Sequence, residues 1–216
     1  MATWIKRGMT PFNWGERTYV MGAVNVTPDS FSGDGVSGRA MDSLELALRF
    51  ESEGADIIDI GGESTRPGSE PISVEEELSR LLPSLELICS RVNIPVSVDT
   101  YKSEVAKRAV EIGATMINDI WGLKSDIKIA QVAAERNASL ILMHCQKTTV
   151  YRDLLADILA SLRRSVSTAL SHGVHPDNII IDPGIGFGKT ADHNLEILWR
   201  LDELKVLGYP ILIGTS

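Results

Sequence analysis

The sequence is poor in cysteine, in aromatic residues and in long apolar runs, and each shortage argues against a class of protein. Its 216 residues include two cysteines, and 6% of them are aromatic. Cys89 and Cys145 do not form a C-x-x-C pair and do not lie beside a metal-like histidine cluster, so we expect two reduced core thiols. No segment reaches the roughly 18 apolar residues that a membrane span needs. We therefore expect a cytoplasmic protein without a membrane partner.

Basic residues are also scarce, because 21 lysines and arginines stand against 29 aspartates and glutamates, for a net charge of −8. Binding of nucleic acid requires clustered lysine and arginine side chains, so this composition argues against a nucleic-acid partner. Any anionic substrate must be held by local donors or by a metal ion. The hydrophobic share of 44% and the charged share of 23% are typical of one soluble globular domain with a sizeable core.

One pattern repeats from Thr18 to the end of the sequence: a short apolar run, a polar loop and a helical stretch. The predicted strands are residues 19–24, 56–60, 95–98, 115–117, 139–143, 178–181 and 209–213. The predicted helices between them are residues 43–53, 74–90, 102–112, 127–135, 154–171 and 194–207. This alternation indicates a parallel sheet built from βαβ units.

Two architectures fit this alternation, a (β/α)₈ TIM barrel and a doubly wound open sheet. An open sheet collects its ligand groups at one switch point, whereas a barrel collects them from every strand onto one face. Polar residues follow six of the seven predicted strands, namely Asn25, Gly61–Glu63, Asp99, Asn118–Asp119, His144 and Asp182. This distribution favours the α/β class with a TIM barrel.

The barrel prediction also makes an expectation about the end of the chain. A barrel of this type has eight strands and about 250 residues, whereas this sequence reaches Ser216 just after the seventh predicted strand. We therefore expect an N-terminal segment, residues 1–17, that covers the barrel bottom. Residues 18–216 would form a barrel domain with seven strands and six helices, lacking its last helices and strand eight.

Two loops are rich in groups that could bind an anion or a metal ion. The first, residues 25–35, is dense in oxygen atoms and could hold Mg²⁺, although a Pro/Gly-rich turn has the same composition. The second, residues 61–69, begins with two glycines and offers Ser64, Thr65 and Arg66 as donors. A solvated loop with a surface arginine is the alternative interpretation.

Asp99, Asn118 and Asp182 each follow a buried apolar run. A buried charge needs a partner, so these side chains could coordinate a cation or accept N–H groups from a nitrogen heterocycle. Caps of the following helices are the alternative. Gly188-Lys189-Thr190 matches the end of a phosphate-binding P-loop, but Pro183 occupies the first glycine position, which argues against an NTPase. His144 could be catalytic, and a hydrogen-bonded residue at a strand end is the favoured interpretation.

Taken together, these segments resemble the dihydropteroate synthase family. Residues 25–31 read N-V-T-P-D-S-F and residues 61–68 read G-G-E-S-T-R-P-G, which are similar to the two signature loops of that family. Residues 97–100, 117–119 and 182–189 match its later motifs in order. The resemblance extends over essentially the whole chain from Thr18 to Ser216, and the motifs are jointly specific.

The resemblance implies a pterin-binding TIM barrel and a Mg²⁺-dependent transferase of folate biosynthesis. Its substrates would be 6-hydroxymethyl-7,8-dihydropterin diphosphate and p-aminobenzoate, and its products dihydropteroate and diphosphate. The resemblance assigns Mg²⁺ to Asn25, and the pterin ring and catalysis to Asp99, Asn118 and Asp182. The remaining substrate-binding positions would be Thr65, Arg66, Pro67, Met143 and Phe187.

The sequence departs from the family pattern in two places. The acidic residue of the first loop, Asp34, stands one position later than is usual in the family. A lysine that follows Gly214-Thr215-Ser216 in the family, and a later arginine and histidine, lie beyond Ser216. These departures leave two alternatives open: a catalytically inactive chain that binds pterin, and a pterin-binding methyltransferase of the corrinoid type. A homodimer is expected only for a full-length form.

Overall fold

The computed structural model describes residues 12–26, 35–64 and 70–215, with the backbone alone for residues 35–39. Within these ranges, six parallel strands form one sheet in which every strand pairs with the next one along the chain. The strands are β1 (Met21–Asn25), β2 (Ile57–Gly61), β3 (Val96–Asp99), β4 (Met116–Asp119), β5 (Ser139–Met143) and β6 (Ile179–Asp182).

A helix follows each strand and returns the chain to the start of the next one. The helices are α1 (Gly35–Ser52), α2 (Val74–Arg91), α3 (Ser103–Ile112), α4 (Lys128–Arg136), α5 (Leu154–Ser171) and α6 (Ala191–Trp199). This sequential parallel order with helices outside is the order of the (β/α)₈ barrel, so the predicted fold class is confirmed.

Side-chain caps fix the start of three helices. The hydroxyl of Ser73 accepts the Glu76 N–H at 3.1 Å before α2, and Asp153 accepts the Ala156 N–H at 3.0 Å before α5. Thr190 and His193 exchange reciprocal hydrogen bonds at the start of α6. These caps satisfy N–H groups that have no partner within the helix, and they define where each loop at the carboxyl ends of the strands stops.

The alternation of residues along each strand separates two environments. Residues on the outer face are apolar and pack against the helices, as Ile58, Ile60, Val98 and Leu140 do in the main core. On the inner face, a lower layer of Ile57, Met116, Ile141 and Ile180 closes the barrel core. Because side chains alternate with a period of two, Asn25, Asp99, Asn118 and Asp182 belong to the same inner face, whereas Asp119 points outward.

The segment from Phe12 to Arg17 lies at the amino ends of the strands. Phe12 packs against the lower layer of the barrel core, and Trp14 lines a cavity of about 690 Å³ at this end. Residues 1–11, the rest of the predicted N-terminal segment, lie outside the described part of the chain. This apolar cavity is at the opposite end of the strands from the polar residues that the sequence singles out.

Two predicted elements need correction. The seventh strand, predicted over residues 209–213, is a single bridge between Ile181 and Ile211, with the Leu212 N–H donating to the carbonyl of Ile181 at 2.8 Å. The last helix, predicted over residues 194–207, is instead α6 followed by a 3₁₀ helix, Leu201–Leu207. Leucines at positions 201, 204 and 207 recur every third residue, which aligns them toward the core in a helix with three residues per turn.

Candidate active site

One row of paired residues crosses four strands at their carboxyl ends. Asn25 of β1 is the register partner of Gly61, Gly61 that of Asp99, and Asp99 that of Asn118. Residues paired in this way point to the same side of a parallel sheet. The structure therefore brings Asn25, Asp99 and Asn118 together on the inner face, although they are far apart in the sequence.

A second pair continues the row on the other two strands. Met143, the last residue of β5, is the register partner of Asp182, the last residue of β6. Asn118 pairs with Ile141, two positions before Met143, so both rows face the inside of the barrel. All three predicted pterin-contacting residues thus lie on one face at one end of the sheet, as the barrel prediction requires.

Asp99 lies among several other acids. Its Oδ1 atom is inaccessible to solvent and has no hydrogen-bond partner within the described part of the chain. Burial raises its pKa well above the usual value, and the negative charges of Asp59, Glu77, Asp119 and Glu63 raise it further. A group that is positively charged or rich in N–H donors would relieve this unfavourable arrangement.

Asp59 is part of the same site, and the sequence analysis missed it. It lies in the middle of β2 on the inner face, where the Nδ2 atom of Asn118 donates to its Oδ2 atom at 3.1 Å. Its Oδ1 atom is buried and has no hydrogen-bond partner among the residues that the structure covers, and burial raises its pKa. The sequence signal for Asp59 was an aspartate within the otherwise apolar run 57–60. A charged side chain in a buried strand needs a partner, because burying an unpaired charge is costly.

Asp182 is the most enclosed of the predicted acids at this face. Its Oδ1 atom accepts the N–H of Gly184 at 2.6 Å, and only 5% of the residue is exposed. Burial raises its pKa to about 7, and the backbone hydrogen bond and the nearby charge of Lys189 oppose the rise. Asp182 therefore changes its charge near neutral pH, where N–H donors from a ligand would favour the ionised carboxylate.

Lys189 and His144 form a buried pair beside Asp182. The Lys189 Nζ atom lies 3.0 Å from Nδ1 of His144 and donates to the carbonyl of Phe187 at 3.0 Å. Burial and the charge of Lys189 lower the pKa of His144 to about 3, and burial lowers the pKa of Lys189 to about 8. His144 is thus neutral and hydrogen-bonded, which agrees with the interpretation of a strand-end residue and not of a general base.

An apolar wall stands next to these polar groups. Met143 packs with Ile120 and Cys145, and Phe187 packs against this cluster from the loop after β6. The rings of Tyr101 and Trp121 join the same cluster from neighbouring loops. Two of the predicted substrate-binding residues, Met143 and Phe187, are therefore brought together, and an aromatic ligand could lie flat against them.

The loop that holds Thr65, Arg66 and Pro67 lies outside the described residues, and so does Asp34. Its two flanks are described, and Lys102 joins them. The Lys102 Nζ atom donates to the Ile72 carbonyl and to Glu77, each at 2.7 Å, and to the carboxylate of Glu63. Tyr101 adds a hydrogen bond to Glu63 at 2.6 Å. This network fixes both ends of the predicted anion-binding loop.

The predicted metal ligand, Asn25, is exposed at the end of β1. Among the residues that the structure describes, no group of three or more His, Cys, Asp or Glu side chains is arranged to hold a metal ion. A single amide oxygen at an exposed strand end fits a Mg²⁺ ion that keeps water molecules and substrate phosphate oxygens in its shell. Asn25 is compatible with this kind of shared site.

The fold and the site together define a class of protein. Polar side chains at the carboxyl ends of parallel α/β strands are the arrangement of ligand-binding residues in barrel enzymes. Here these side chains are acids with elevated pKa values, flanked by an apolar and aromatic wall. The class is an α/β barrel enzyme with its ligand site at the carboxyl ends of the strands.

Comparison with known proteins gives the particular family. Residues 21–216 match the family described as pterin binding enzyme. The dihydropteroate synthase of Clostridium beijerinckii is 51% identical over 216 residues, which cover 98% of this chain and 79% of that protein. The chain belongs to the pterin binding enzyme family and, within it, to the dihydropteroate synthases, transferases of folate biosynthesis.

Solved structures agree with this assignment. A crystal structure of dihydropteroate synthase from Clostridium difficile, obtained with pteroic acid present, matches with a TM-score of 0.92 and 46% identity, over 95% of this chain and 78% of that one. The Xanthomonas albilineans enzyme with 4-aminobenzoic acid matches with a TM-score of 0.89 and 41% identity, over 93% and 74% of the two chains. In the described ranges of this chain, no helix combines the length and the apolar character needed to cross a membrane.

Proposed function

We propose that the protein joins 6-hydroxymethyl-7,8-dihydropterin diphosphate to the amino group of p-aminobenzoate, giving 7,8-dihydropteroate and diphosphate. The observation that carries this proposal is the cluster of buried acids at the carboxyl ends of the strands, beside an apolar wall. The ligands named for the similar structures, pteroic acid and 4-aminobenzoic acid, support the same pair of substrates.

Asp182, Asn118 and Asp99 would hold the pterin ring. The ring carries an amino-pyrimidinone edge with several N–H donors, and ionised Asp182 would accept two of them. Asn118 already donates to Asp59, so its amide oxygen is the acceptor that it offers the ring. The unpartnered Oδ1 atom of Asp99 would accept a further N–H group. These contacts would replace missing hydrogen bonds at buried oxygens, where each is worth the most.

The second substrate would lie against Phe187 and Met143. Its benzene ring would contact this apolar wall, while its amino group would point toward the reacting carbon. Arg66 and Pro67 would close over the ring, and Thr65 would contact the diphosphate substrate. These three roles follow from the family resemblance and concern residues outside the described ranges.

The acidic cluster suits the proposed chemistry. The bond between the exocyclic carbon and the diphosphate oxygen breaks, and its electron pair leaves with the diphosphate. Positive charge then develops on the carbon and the attached pterin, and the carboxylates of Asp99 and Asp182 lower its energy. The lone pair of the arylamine nitrogen forms the new carbon–nitrogen bond, and that nitrogen loses a proton to solvent. No nucleophilic side chain of the protein is needed.

Asn25 would contribute its amide oxygen to a Mg²⁺ ion shared with the diphosphate. The ion would supply positive charge that stabilises the leaving diphosphate. Asn25 would hold the ion at the end of β1, where Gly61 of β2 lies between Asn25 and Asp99 of β3. We also propose that the enzyme is cytoplasmic, which the reduced state of Cys89 and Cys145 supports.

The test is turnover by protein expressed to its natural stop codon. Both substrates are supplied with Mg²⁺ or with excess chelator, and dihydropteroate is detected by mass. We expect product with Mg²⁺, a large loss with chelator, and a loss of about 100-fold or more for Asp182→Asn. Absence of product from the unmodified protein under all conditions contradicts the proposal. Pterin binding without turnover, measured by calorimetry, identifies the inactive pterin-binding alternative.

A further inference from the structure

Lys189 is a buried cation that the proposed reaction does not use. Only 8% of the residue is exposed, and the hydrogen bonds of Lys189 in the described chain go to uncharged groups. Its ammonium group is held by neutral acceptors: Nδ1 of His144 at 3.0 Å, and the carbonyls of Phe187 at 3.0 Å and His144 at 3.4 Å. Burying an ammonium group is costly, so these contacts mark a position where the charge and its three donors matter.

The acceptors belong to two different loops at the carboxyl end of the barrel. His144 directly follows β5, and Phe187 lies in the loop between β6 and α6. The two loops touch through their backbones, because a Cβ atom on Gly184 would collide with the His144 carbonyl, and one on Gly188 with the Gln146 carbonyl. Both glycines have positive φ angles, of 71° and 64°, which side chains rarely adopt. The approach of the loops is thus built into the sequence, and Lys189 cross-links them.

We infer that Lys189 is a positioning residue for the arylamine substrate, acting through Phe187. The Lys189 ammonium group fixes the carbonyl of Phe187 relative to the end of β5, where Met143 lies one residue before His144. The position of the Phe187 side chain relative to Met143 determines the shape of the apolar surface that the two residues form. Since the proposed function places the benzene ring of p-aminobenzoate against this wall, Lys189 governs the affinity for that substrate. The inference rests on the proposed function.

A neighbouring contact shows why Phe187 depends on Lys189 in particular. Tyr151 donates to the carbonyl of Gly188 at 2.9 Å, so a second hydrogen bond fastens the same loop one residue further on. The Phe187 N–H itself bonds within its own turn, to the Gly184 carbonyl at 3.2 Å. Lys189 bonds both to the Phe187 carbonyl and to Nδ1 of His144, and in the described chain these two hydrogen bonds together connect the Phe187 backbone to the loop after β5. Without Lys189, Phe187 loses this connection, whereas Gly188 keeps its hydrogen bond from Tyr151.

The experiment compares Lys189→Met and Lys189→Arg with the unmodified protein. For Lys189→Met we expect the KM for p-aminobenzoate to rise about tenfold, which corresponds to the loss of one strong hydrogen bond, with kcat changed less than about threefold. Both KM values are measured at about pH 8.5, because loss of the Lys189 charge raises the pKa of Asp182 and would weaken pterin binding near pH 7. At this pH the KM for the pterin diphosphate should change much less than that for p-aminobenzoate, because Lys189 makes no hydrogen bond to Asp182 or Asn118 in the described chain. Lys189→Arg keeps a charge and N–H donors, so we expect it to recover most of the lost affinity.

A buried substitution also lowers stability, and the control is Val105→Ala, a fully buried change in α3 that touches neither loop. Its urea midpoint should fall while both KM values stay unchanged. The inference is overturned if Lys189→Met raises both KM values equally, lowers kcat alone, or behaves as Val105→Ala does. If Lys189→Met fails to fold, Lys189→Gln replaces it, because the shorter glutamine side chain cannot reach both loops. The inference is then overturned if Lys189→Gln has a wild-type KM for p-aminobenzoate and a wild-type kcat. Absence of turnover by the unmodified protein contradicts the proposed function instead.

Discussion

Asp182 combines near-complete burial with a pKa of about 7, so its charge is set by what binds to it. A ligand that donates N–H groups needs the ionised carboxylate, and binding therefore releases a proton when the free protein holds one. The affinity for a pterin ligand should fall by up to about tenfold for each pH unit below about 7 and level off above it. Calorimetric titration between about pH 5.5 and pH 8 measures this profile.

The matched control for this pH profile is Asp182→Asn, which removes the titrating group and keeps its shape. We expect weaker pterin binding at every pH and a shallower profile, because an amide does not gain charge as the pH rises. Proton release can be measured independently by repeating the titration in buffers with different heats of ionisation. An affinity of the unmodified protein that does not change across this range contradicts the assignment of Asp182 to the ring edge.

A second prediction for a single residue concerns Asp59, because its carboxylate orients the amide of Asn118. Asp59→Leu removes this acceptor, and we expect pterin affinity to fall about tenfold as Asn118 loses its fixed orientation. Asp59→Asn retains an oxygen that can accept the same hydrogen bond, and its affinity should stay within about threefold of the unmodified protein. Wild-type pterin affinity in Asp59→Leu would show that Asn118 needs no such support.

The residues that the sequence did not reveal share one property. Asp99, Asn118 and Asp182 follow apolar runs and match family motifs, so their place on one face could be predicted. Asp59 lies inside a strand, and Lys189 was considered only within two motifs, the end of a phosphate-binding loop and the family segment 182–189, without a role of its own. Their importance depends on partners more than 40 positions away in the chain, Asn118 and His144. Contacts of this kind are created by strand pairing and have no local sequence signature.

At the scale of the structural elements, Lys102 joins the two described flanks of the segment between β2 and α2. Lys102 contacts Glu63, Glu77 and the Ile72 carbonyl, and the Glu77 side chain is only 1% exposed. Lys102→Met leaves both carboxylates without their cation, and the free energy of unfolding should fall by about 3–5 kcal/mol. Urea denaturation followed by circular dichroism measures this change.

A surface ion pair provides the comparison for Lys102. Arg49 and Glu53 form an exposed i, i+4 pair on α1 with a separation of 3.9 Å. Arg49→Met also removes a positive charge, but one that is exposed to solvent, so we expect the free energy of unfolding to fall by only about 0–1 kcal/mol. If the two substitutions cost the same, burial does not determine the strength of the Lys102 network.

The sequence predicted which helices and strands exist better than it predicted the residues at which they begin and end. The helix over residues 154–171 was predicted with its observed bounds, because its apolar stripe recurs at helical spacing and Asp153 caps it. Most strands extend one or two residues past their apolar run, since backbone pairing does not stop where the side chains become polar. The break after Trp199 was not predictable because it depends on how Leu204 meets the core.

For the whole molecule, the buried acids make stability depend on pH. Burial raises the pKa values of Asp99 and Asp182, so the folded protein binds more protons than the unfolded chain at neutral pH. Stability must then fall as the pH rises. The lowered pKa of His144, about 3, acts in the opposite direction mainly below its unfolded value near 6.5, and the lowered pKa of Lys189, about 8, does so mainly as the pH approaches 8. Between about pH 6.5 and pH 8 we expect a net loss of about 1 kcal/mol.

Urea unfolding at several pH values within this window tests the expectation, with Asp99→Asn as the control. The amide cannot ionise, so the variant should lose less stability than the unmodified protein over the same range. The raised pKa of Cys89, about 12, acts in the same direction near pH 8 and is common to both proteins. Stability that rises with pH in this window would mean that the carboxyl groups are ionised in the folded protein without cost.

The row of paired residues from Asn25 to Asp182 has a consequence for the life of the protein in the cell. Its pterin-holding members, Asp99, Asn118 and Asp182, come from β3, β4 and β6, so a bound pterin joins strands that are far apart in the sequence. A ligand at 100 times its dissociation constant adds about 2.7 kcal/mol to the free energy of unfolding. Proteolysis removes chains in proportion to how often they open. The supply of the pterin substrate should therefore regulate the abundance of the enzyme as well as its rate.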